Sequence, residues 1–281
     1  MAIRITSDST CDLGHLVKER DIGILPLQVH LGENSYYDGV DITPEDIFNF
    51  VAETKTLPKT SAPSIAEYQE FFEKQLQFGD EVIHFNISAQ SSGSHNMAVQ
   101  AAEEFGGKVR VIDSMALSSG QGLLVLKAAD MRDEGKSSDE IEEVVKALRE
   151  RVNTSFIPDR LDYLYKGGRC SKMEMFGANI LKIHPLIYME NGKLVPGKKY
   201  RGKMSFLIKQ YVEDLKEMYP DYDKTRCFVT HSSADKELVD AAKEKVKELF
   251  KFDEVIETVA GSIITSHCGR GTLGVLFIYN K

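Results

Sequence analysis

The sequence predicts a two-domain α/β protein. A three-layer α/β/α domain with a parallel sheet is expected at residues 1–155, and an α+β domain with a mainly antiparallel sheet at residues 156–281. The chain has 281 residues, which is enough for about two domains of ordinary size. Strand and helix signals alternate through the first half, as they do in parallel sheets, whereas the second half contains a hairpin signal.

In the first half, apolar runs that predict strands alternate with segments of helical periodicity. Helix starts are marked by hydroxyl residues that can cap free N–H groups, most clearly in the capping boxes at 64–67 and 137–140. The predicted strands are 3–6, 25–31, 82–87 and 109–112.

In the second half, Asn191-Gly192 lies between the apolar runs 185–189 and 193–195, and this arrangement is a strong hairpin signal. Antiparallel pairing is therefore expected here. The other predicted elements are helices at 203–218 and 235–250, a strand at 227–230, and strands within 254–280 around a glycine-rich turn near 269–274.

The net charge, the apolar runs and the cysteine spacing exclude several classes of protein. The formal net charge of −8 argues against nucleic-acid binding, which needs a basic face. The longest apolar run, 275–279, is too short to cross a bilayer, and residues 1–8 do not read as a secretion signal. The four cysteines form no Cys-x-x-Cys pair, which is typical of free thiols in the cytosol. We therefore expect a cytoplasmic protein without a cofactor or a bound metal.

Hydroxyl-rich turns at 8–10, 60–64 and 88–94 follow predicted strands or precede predicted helices. Ligands of parallel α/β sheets bind at the carboxyl ends of strands, and free N–H groups at a helix start attract anions. An anion cradle is predicted from the hydroxyls of Thr60 and Ser92 and the amides of Gly93 and Ser94. The alternative is that these residues only cap helices.

A phosphate-binding P-loop and a serine hydrolase are alternatives to the anion cradle. The segment 192–199 fits a phosphate-binding P-loop except at Lys199, but it lies in the predicted hairpin and is rejected. A serine hydrolase could use Ser92 with His267 as base, although no acid partner can be named and the Gly-x-Ser-x-Gly turn is absent. A sensor or transport module for a small anion is a further alternative.

Two basic segments, 166–169 and 198–203, stand out in an acidic chain. Such segments are usually solvated surface. They would also suit docking of an acidic or phosphate-bearing partner.

Taken together, five segments resemble the DegV family of bacterial lipid-binding proteins, which includes the binding subunits of bacterial fatty-acid kinase. The chain departs from the family's usual pattern at His95-Asn96 and at Arg270, where proline is common. The matching segments occur in the family's order at 7–13, 60–64, 92–94, 167–169 and 267–271.

The resemblance implies a protein that performs no chemistry itself and holds a long-chain fatty acid in a tunnel. A separate fatty-acid kinase would phosphorylate the bound carboxylate, and transient contact with a membrane surface would allow lipid exchange. A protonated His267 would add a positive charge at the carboxylate. Ile263, Ile264 and Phe176 are candidates for shaping the tail site. The implied residues are Thr60, Ser61, Ser92, Gly93, Ser94 and His267 for the carboxylate, and Arg169 and Arg201 for docking.

Overall fold

The computed structural model describes residues 2–170 and 183–280, which form three sheets and ten helices. The strands are β1 (Ile3–Asp8), β2 (Gly23–Leu25), β3 (Gln28–Leu31), β4 (Asn34–Tyr37), β5 (Lys59–Ser61), β6 (Glu81–Asn86), β7 (Val109–Asp113), β8 (Val152–Asn153), β9 (Ser155–Ile157), β10 (Ile183–Glu190), β11 (Lys193–Arg201), β12 (Tyr222–His231), β13 (Glu254–Val259) and β14 (Leu273–Tyr279). The helices are α1 (Leu16–Glu19), α2 (Pro44–Thr54), α3 (Ile65–Gln75), α4 (Ser94–Ala102), α5 (Ser119–Asp133), α6 (Ser138–Leu148), α7 (Asp162–Gly167), α8 (Met204–Met218), α9 (Lys236–Leu249) and α10 (Ser262–Cys268).

The first sheet is wholly parallel, with strand order β2-β1-β6-β7. Helices α3 and α4 cover one face, where Tyr68, Phe72 and Ala98 pack into one buried cluster. Helices α5 and α6 cover the other face, through residues such as Leu124 and Ile141. The predicted three-layer α/β/α arrangement is confirmed.

The second sheet has the order β11-β10-β9-β14-β12-β13, and β8 also pairs with β14. All of its pairings are antiparallel except that of β12 with β13, so the predicted mainly antiparallel sheet and its hairpin β10–β11 are confirmed. Helices α8 and α9 cover one face. Since β8 precedes residue 155 but joins this sheet, the domain boundary at 155/156 stays a prediction.

Helix α5 lies between the two large sheets. Its Leu124 and Val125 belong to the same buried cluster as Ile5 of β1 and Leu276 of β14. The two halves of the chain therefore share one hydrophobic core. None of the helices formed by the described residues combines the length and the apolar character that crossing a membrane requires.

The predicted strand at 25–31 is two strands in two different sheets. β2 ends at Leu25 and β3 begins at Gln28, because Pro26 has no N–H to continue the ladder and the chain turns there. β3 then forms a small antiparallel sheet with β4 and β5. That sheet places Thr60 of β5 opposite Val29.

Residues 262–268 form α10, where the sequence predicts strand and turn. The N–H of Gly261 donates to Asp12 Oδ1 at 2.8 Å, and the N–H of Ser262 donates to Asp38 Oδ1 at 2.7 Å. A Cβ on Gly261 would lie 3.1 Å from both carboxylate oxygens, so glycine permits this close approach. The two carboxyl groups accept the free N–H groups at the start of the helix, and they come from far along the chain, outside any local sequence pattern.

Candidate functional site

A cavity of about 150 Å³ lies among β5, the loop before α4, and α10. Most of its wall is apolar. Six of its apolar residues are Leu117, Phe156, Leu164, Leu194, Ile263 and Ile264. The polar side chains and the backbone of the same wall include most of the predicted site, namely Thr60, Ser61, Ser92, Gly93, Arg169 and His267.

Thr60 and His267 meet at this wall although 207 positions separate them in the chain. Thr60 Oγ1 lies 2.9 Å from His267 Nε2. The pairing of β5 with β3 fixes the backbone of Thr60, and the last turn of α10 carries His267. His267 therefore lies in a helix, whereas the sequence predicts strand and turn in this part of the chain.

Ser92 lies in a tightly wound loop between β6 and α4. The N–H groups of Ser91 and Ser92 both donate to Ser88 O, at 2.8 and 3.2 Å. Ser88 Oγ in turn donates to Gly192 O at 2.7 Å, which joins this loop to the tip of the β10–β11 hairpin. The loop that carries Ser92 is therefore held from both halves of the molecule.

Ser94 supports Ser92 from beneath. It is fully buried, its Oγ lies 2.8 Å from Ser92 Oγ, and its N–H donates to Ser92 Oγ at 3.2 Å. It is not among the residues that line the cavity. The Ser94 N–H already donates to Ser92 Oγ, so it is not a free donor for an anion. In contrast to the predicted cradle, Ser94 orients the Ser92 hydroxyl and is not a lining residue of the cavity.

His267 is neutral at pH 7. Burial and, secondarily, the nearby Arg169 lower its pKa to about 4, which differs from the protonated imidazole considered above. Its Nδ1 is buried and has no hydrogen-bond partner among the described residues. A Cβ on Gly167 would lie 3.0 Å from Nδ1, so a glycine there leaves room for the ring.

Asp8 fixes the end of β6 from within the core. Its Oδ2 accepts from the N–H of Ile87, a cavity residue, at 2.8 Å, and its Oδ1 accepts from Gln121 Nε2 at 2.9 Å. Burial raises the pKa of Asp8, while its hydrogen bonds act in the opposite direction. The turn at 8–10 is thus a support of the cavity wall and not a ligand-facing turn.

The cavity borders two other spaces, a small inner cavity and a larger outer cleft. An inner cavity of about 30 Å³ shares Leu117, Phe156, Ile264 and Cys268 with it. An outer cleft of about 620 Å³ shares Thr60, Arg169 and His267. Thr60, Arg169 and His267 therefore stand at the side of the cleft, and the apolar residues shared with the inner cavity stand at the opposite, inner side.

Of the residues by which the chain departs from the resembled pattern, Arg270 has clear local partners. Arg270 pairs with Glu45 at 2.6 Å and stacks on the ring of Phe48 at 4.2 Å, so its charge has a partner. His95 is half-buried, and burial lowers its pKa. Arg201 is exposed at the end of β11 and does not line the cavity. Phe176 lies outside the described residues.

Several lining residues were not identified from the sequence. Leu117, Phe156, Leu164 and Leu194 lie in four separate segments, and each is an ordinary core residue by its pattern. Of the three residues that the sequence offers as candidates for the tail site, Ile263 and Ile264 line the cavity, and Phe176 lies outside the described residues. Folding alone brings the other four to one wall.

Comparisons with known proteins relate nearly the whole chain to one family. A family model described as "Uncharacterised protein, DegV family" matches residues 2–280. A fatty acid-binding protein of Thermotoga maritima is 34% identical over 284 residues, covering 98% of this chain and 96% of that protein. The solved structure of a fatty-acid-binding DegV family protein from Thermus thermophilus has a TM-score of 0.93 at 29% identity, covering 100% of both chains. A stearic acid-binding protein from Eubacterium ventriosum has a TM-score of 0.85 at 29% identity, covering 99% of this chain and 98% of that one.

Proposed function

Because the chain belongs to the DegV family, we propose that it binds a long-chain fatty acid and presents the carboxylate to a separate fatty-acid kinase. One observation carries this proposal: a hydroxyl and an imidazole from distant segments, Thr60 and His267, meet at the polar side of a mostly apolar cavity. Fatty-acid binding by relatives of similar length and fold supports the binding part of the proposal.

The apolar wall suits the tail. Burying about 14 methylenes at roughly 0.8 kcal/mol each contributes on the order of 11 kcal/mol before ordering costs. A void of about 150 Å³ is the size of an engineered cavity that takes up benzene, so a long chain needs more room. Ile264 and Phe156 border both this cavity and the inner one. We propose that these side chains shift when the tail enters, joining the two spaces.

The polar side suits the carboxylate. An ionised carboxylate that leaves water needs hydrogen-bond donors. In the tautomer with the proton on Nε2, His267 donates a hydrogen bond to Thr60 Oγ1. The hydroxyl proton of Thr60 is then free to point at the ligand. A neutral imidazole is sufficient for this role. Ser92 supplies the second hydroxyl, which Ser94 orients.

The geometry favours binding over ester hydrolysis. Ser92 Oγ is paired with Ser94 Oγ, whereas Nε2 of His267 is paired with Thr60. In the described part of the chain no carboxylate accepts a hydrogen bond from His267 Nδ1, and a catalytic base of this kind needs such an orienting partner.

The two halves of the chain have different parts in this proposal. Residues 1–155 supply Thr60 on strand β5 and Ser92 on the loop before α4. Residues 156–281 supply His267 and part of the apolar wall. Exchange of the lipid would take place in transient contact with a membrane surface. We propose a cytoplasmic location, where both the kinase and the membrane leaflet are accessible.

Lipid analysis tests the proposal directly. Organic extraction of the natively purified protein, followed by mass spectrometry, is expected to yield about one long-chain acid per chain. Delipidated protein is expected to rebind hexadecanoate with a heat signal at one site. Absence of a long-chain acid in the extract together with no rebinding would refute the proposal.

The docking assignment of Arg201 gives a further prediction. Arg201→Ala is expected to weaken kinase coupling at least about 10-fold and to change hexadecanoate affinity less than about 2-fold, because an exposed rim charge governs association. Coupling is measured as acyl-phosphate formation with a fatty-acid kinase at limiting concentrations of this protein. Lys224→Ala, which removes an exposed lysine on β12, is the control. Parallel losses of coupling and lipid affinity would contradict the assignment.

A further inference from the structure

Behind the loop that carries Ser92, three buried side chains form a chain of polar contacts. Asn86 at the end of β6, Tyr68 on α3 and Ser94 at the start of α4 are all fully buried. Asn86 Nδ2 donates to Tyr68 Oη at 2.9 Å. The Tyr68 hydroxyl is also a hydrogen-bond partner of Ser94, and Ser94 Oγ lies 2.8 Å from Ser92 Oγ. The contacts therefore lead from the core to a residue that lines the cavity.

The direction of the hydrogen bonds in this chain is set at Asn86. Its amide nitrogen faces Asp8 Oδ2, which accepts at 3.3 Å, and makes its shortest contact with Tyr68 Oη. An amide nitrogen only donates, so Tyr68 Oη is the acceptor there. The proton of the buried Tyr68 hydroxyl needs an acceptor of its own, and Ser94 Oγ provides it. The Ser94 proton then points to Ser92 Oγ.

Ser92 Oγ is left with its proton as the one group free for a ligand. Its two lone pairs face the N–H and the O–H of Ser94, at 3.2 and 2.8 Å. In this state the Ser92 hydroxyl can donate to an anionic oxygen and cannot accept from a ligand O–H. With the opposite direction, Ser92 would donate to Ser94 and would offer the ligand an acceptor.

We propose that Tyr68 is a positioning residue, which fixes Ser92 as a hydrogen-bond donor and so makes the head site selective for groups that only accept hydrogen bonds. The inference rests on the proposed function. Tyr68 does not line the cavity, so it acts on a ligand through Ser94 and Ser92. An ionised carboxylate satisfies such a site, whereas a fatty alcohol brings a proton for which Ser92 has no lone pair left.

The test compares two ligands that share one tail. Hexadecanoate has a head group that only accepts, and hexadecan-1-ol has one that also donates. Tyr68→Phe keeps the ring and removes the hydroxyl. It is expected to bind hexadecanoate about 10-fold more weakly at pH 7.5 and to change the affinity for hexadecan-1-ol less than about 2-fold. Both affinities are measured by displacement of a fluorescent fatty acid whose own affinity is first determined for each variant.

A double-mutant cycle separates positioning from packing. Ser92→Ala keeps Thr60 as a donor, so binding stays measurable. In this background Tyr68→Phe is expected to change hexadecanoate affinity less than about 2-fold, because no Ser92 hydroxyl is left to orient. Ser94→Ala interrupts the same chain at its next member. It is expected to reproduce the loss of about 10-fold for hexadecanoate alone, with no further loss when Tyr68→Phe is added.

Tyr222→Phe is the matched control. It removes another buried hydroxyl, which accepts from Lys251 N at 2.8 Å and does not line the cavity. Neither ligand's affinity is expected to change more than about 2-fold, because this hydroxyl has no connection to the head site.

The outcomes distinguish this inference from the proposed function. If the unaltered protein does not bind hexadecanoate, the proposed function fails and the inference fails with it. If hexadecanoate binds, three results would refute the role of Tyr68: no loss for Tyr68→Phe, an equal loss for both ligands, or a loss that persists in the Ser92→Ala background. If circular dichroism shows that Tyr68→Phe does not fold, Ser94→Ala decides, since unchanged hexadecanoate binding by that variant would overturn the inference.

Discussion

The double variant Thr60→Val/Ser92→Ala is expected to bind hexadecanoate at least about 100-fold more weakly than the unaltered protein at pH 7.5. Each hydroxyl that donates to a charged group contributes about 1.5–3 kcal/mol, and removing both leaves the carboxylate without these two donors in an apolar surrounding. Valine has nearly the shape of threonine, so little of the loss should come from altered packing. Isothermal titration calorimetry measures the affinity.

Two controls test whether the loss of affinity comes from the missing hydroxyl groups. Thr60→Ser keeps the donor beside His267 and is expected to retain affinity within about 5-fold, because only one methyl group is lost. Methyl hexadecanoate has the same tail and no negative charge, and its binding is expected to be weakened less than about 3-fold by the double variant. Unchanged hexadecanoate binding by the double variant would place the carboxylate elsewhere in the molecule.

Asp8→Ala is expected to lower the free energy of unfolding by at least about 3 kcal/mol. The Asp8 carboxylate is fully buried and accepts from Thr10 N, Gln121 Nε2, Ile87 N and Asn86 Nδ2 at 3.1, 2.9, 2.8 and 3.3 Å. Alanine would remove the acceptor of the Thr10 and Ile87 N–H groups, at a cost of about 1–3 kcal/mol for each one that finds no water. Gln121 Nε2 and Asn86 Nδ2 keep other acceptors, Ser7 Oγ at 2.8 Å and Tyr68 Oη at 2.9 Å. Urea unfolding followed by circular dichroism measures the change.

Asp8→Asn and Asp253→Ala are the matched comparisons. Asparagine keeps one acceptor oxygen, so its effect should lie between those of aspartate and alanine. Asp253 is exposed, and its replacement should change the stability by less than about 0.5 kcal/mol. A stability of Asp8→Ala equal to that of Asp253→Ala would show that the buried network does not depend on this carboxylate.

Sequence reasoning succeeded where the signals are local. The capping box that begins α3 is present, with Ser64 Oγ accepting from Glu67 N at 3.2 Å and Glu67 Oε2 accepting from Ser64 N at 2.8 Å. The Asn191-Gly192 turn joins β10 and β11 with both residues at positive φ, as such turns require. These features depend on a few neighbouring residues.

Sequence reasoning failed where distant residues decide the structure. Ile263-Ile264 favours a strand by itself, but Asp12 and Asp38 cap the segment as α10 from 249 and 224 positions away. The environment of His267 depends on that helix, so the neutral state of its imidazole could not be foreseen. The hydroxyls of Thr60 and Ser92 could be singled out because each belongs to a Ser/Thr-dense segment of the sequence, although the structure places Thr60 on strand β5. The residues of the apolar wall have no such signature.

The position of α5 between the two large sheets bears on how the protein denatures. Because Leu124 and Val125 pack with residues of both sheets, neither half can lose its structure without exposing apolar surface of the other. The molecule should behave as a single cooperative unit during melting, and a protease cut between the halves should not release an independently stable fragment. The elements that form the two sides of the cavity should therefore keep their relative positions until the whole chain unfolds.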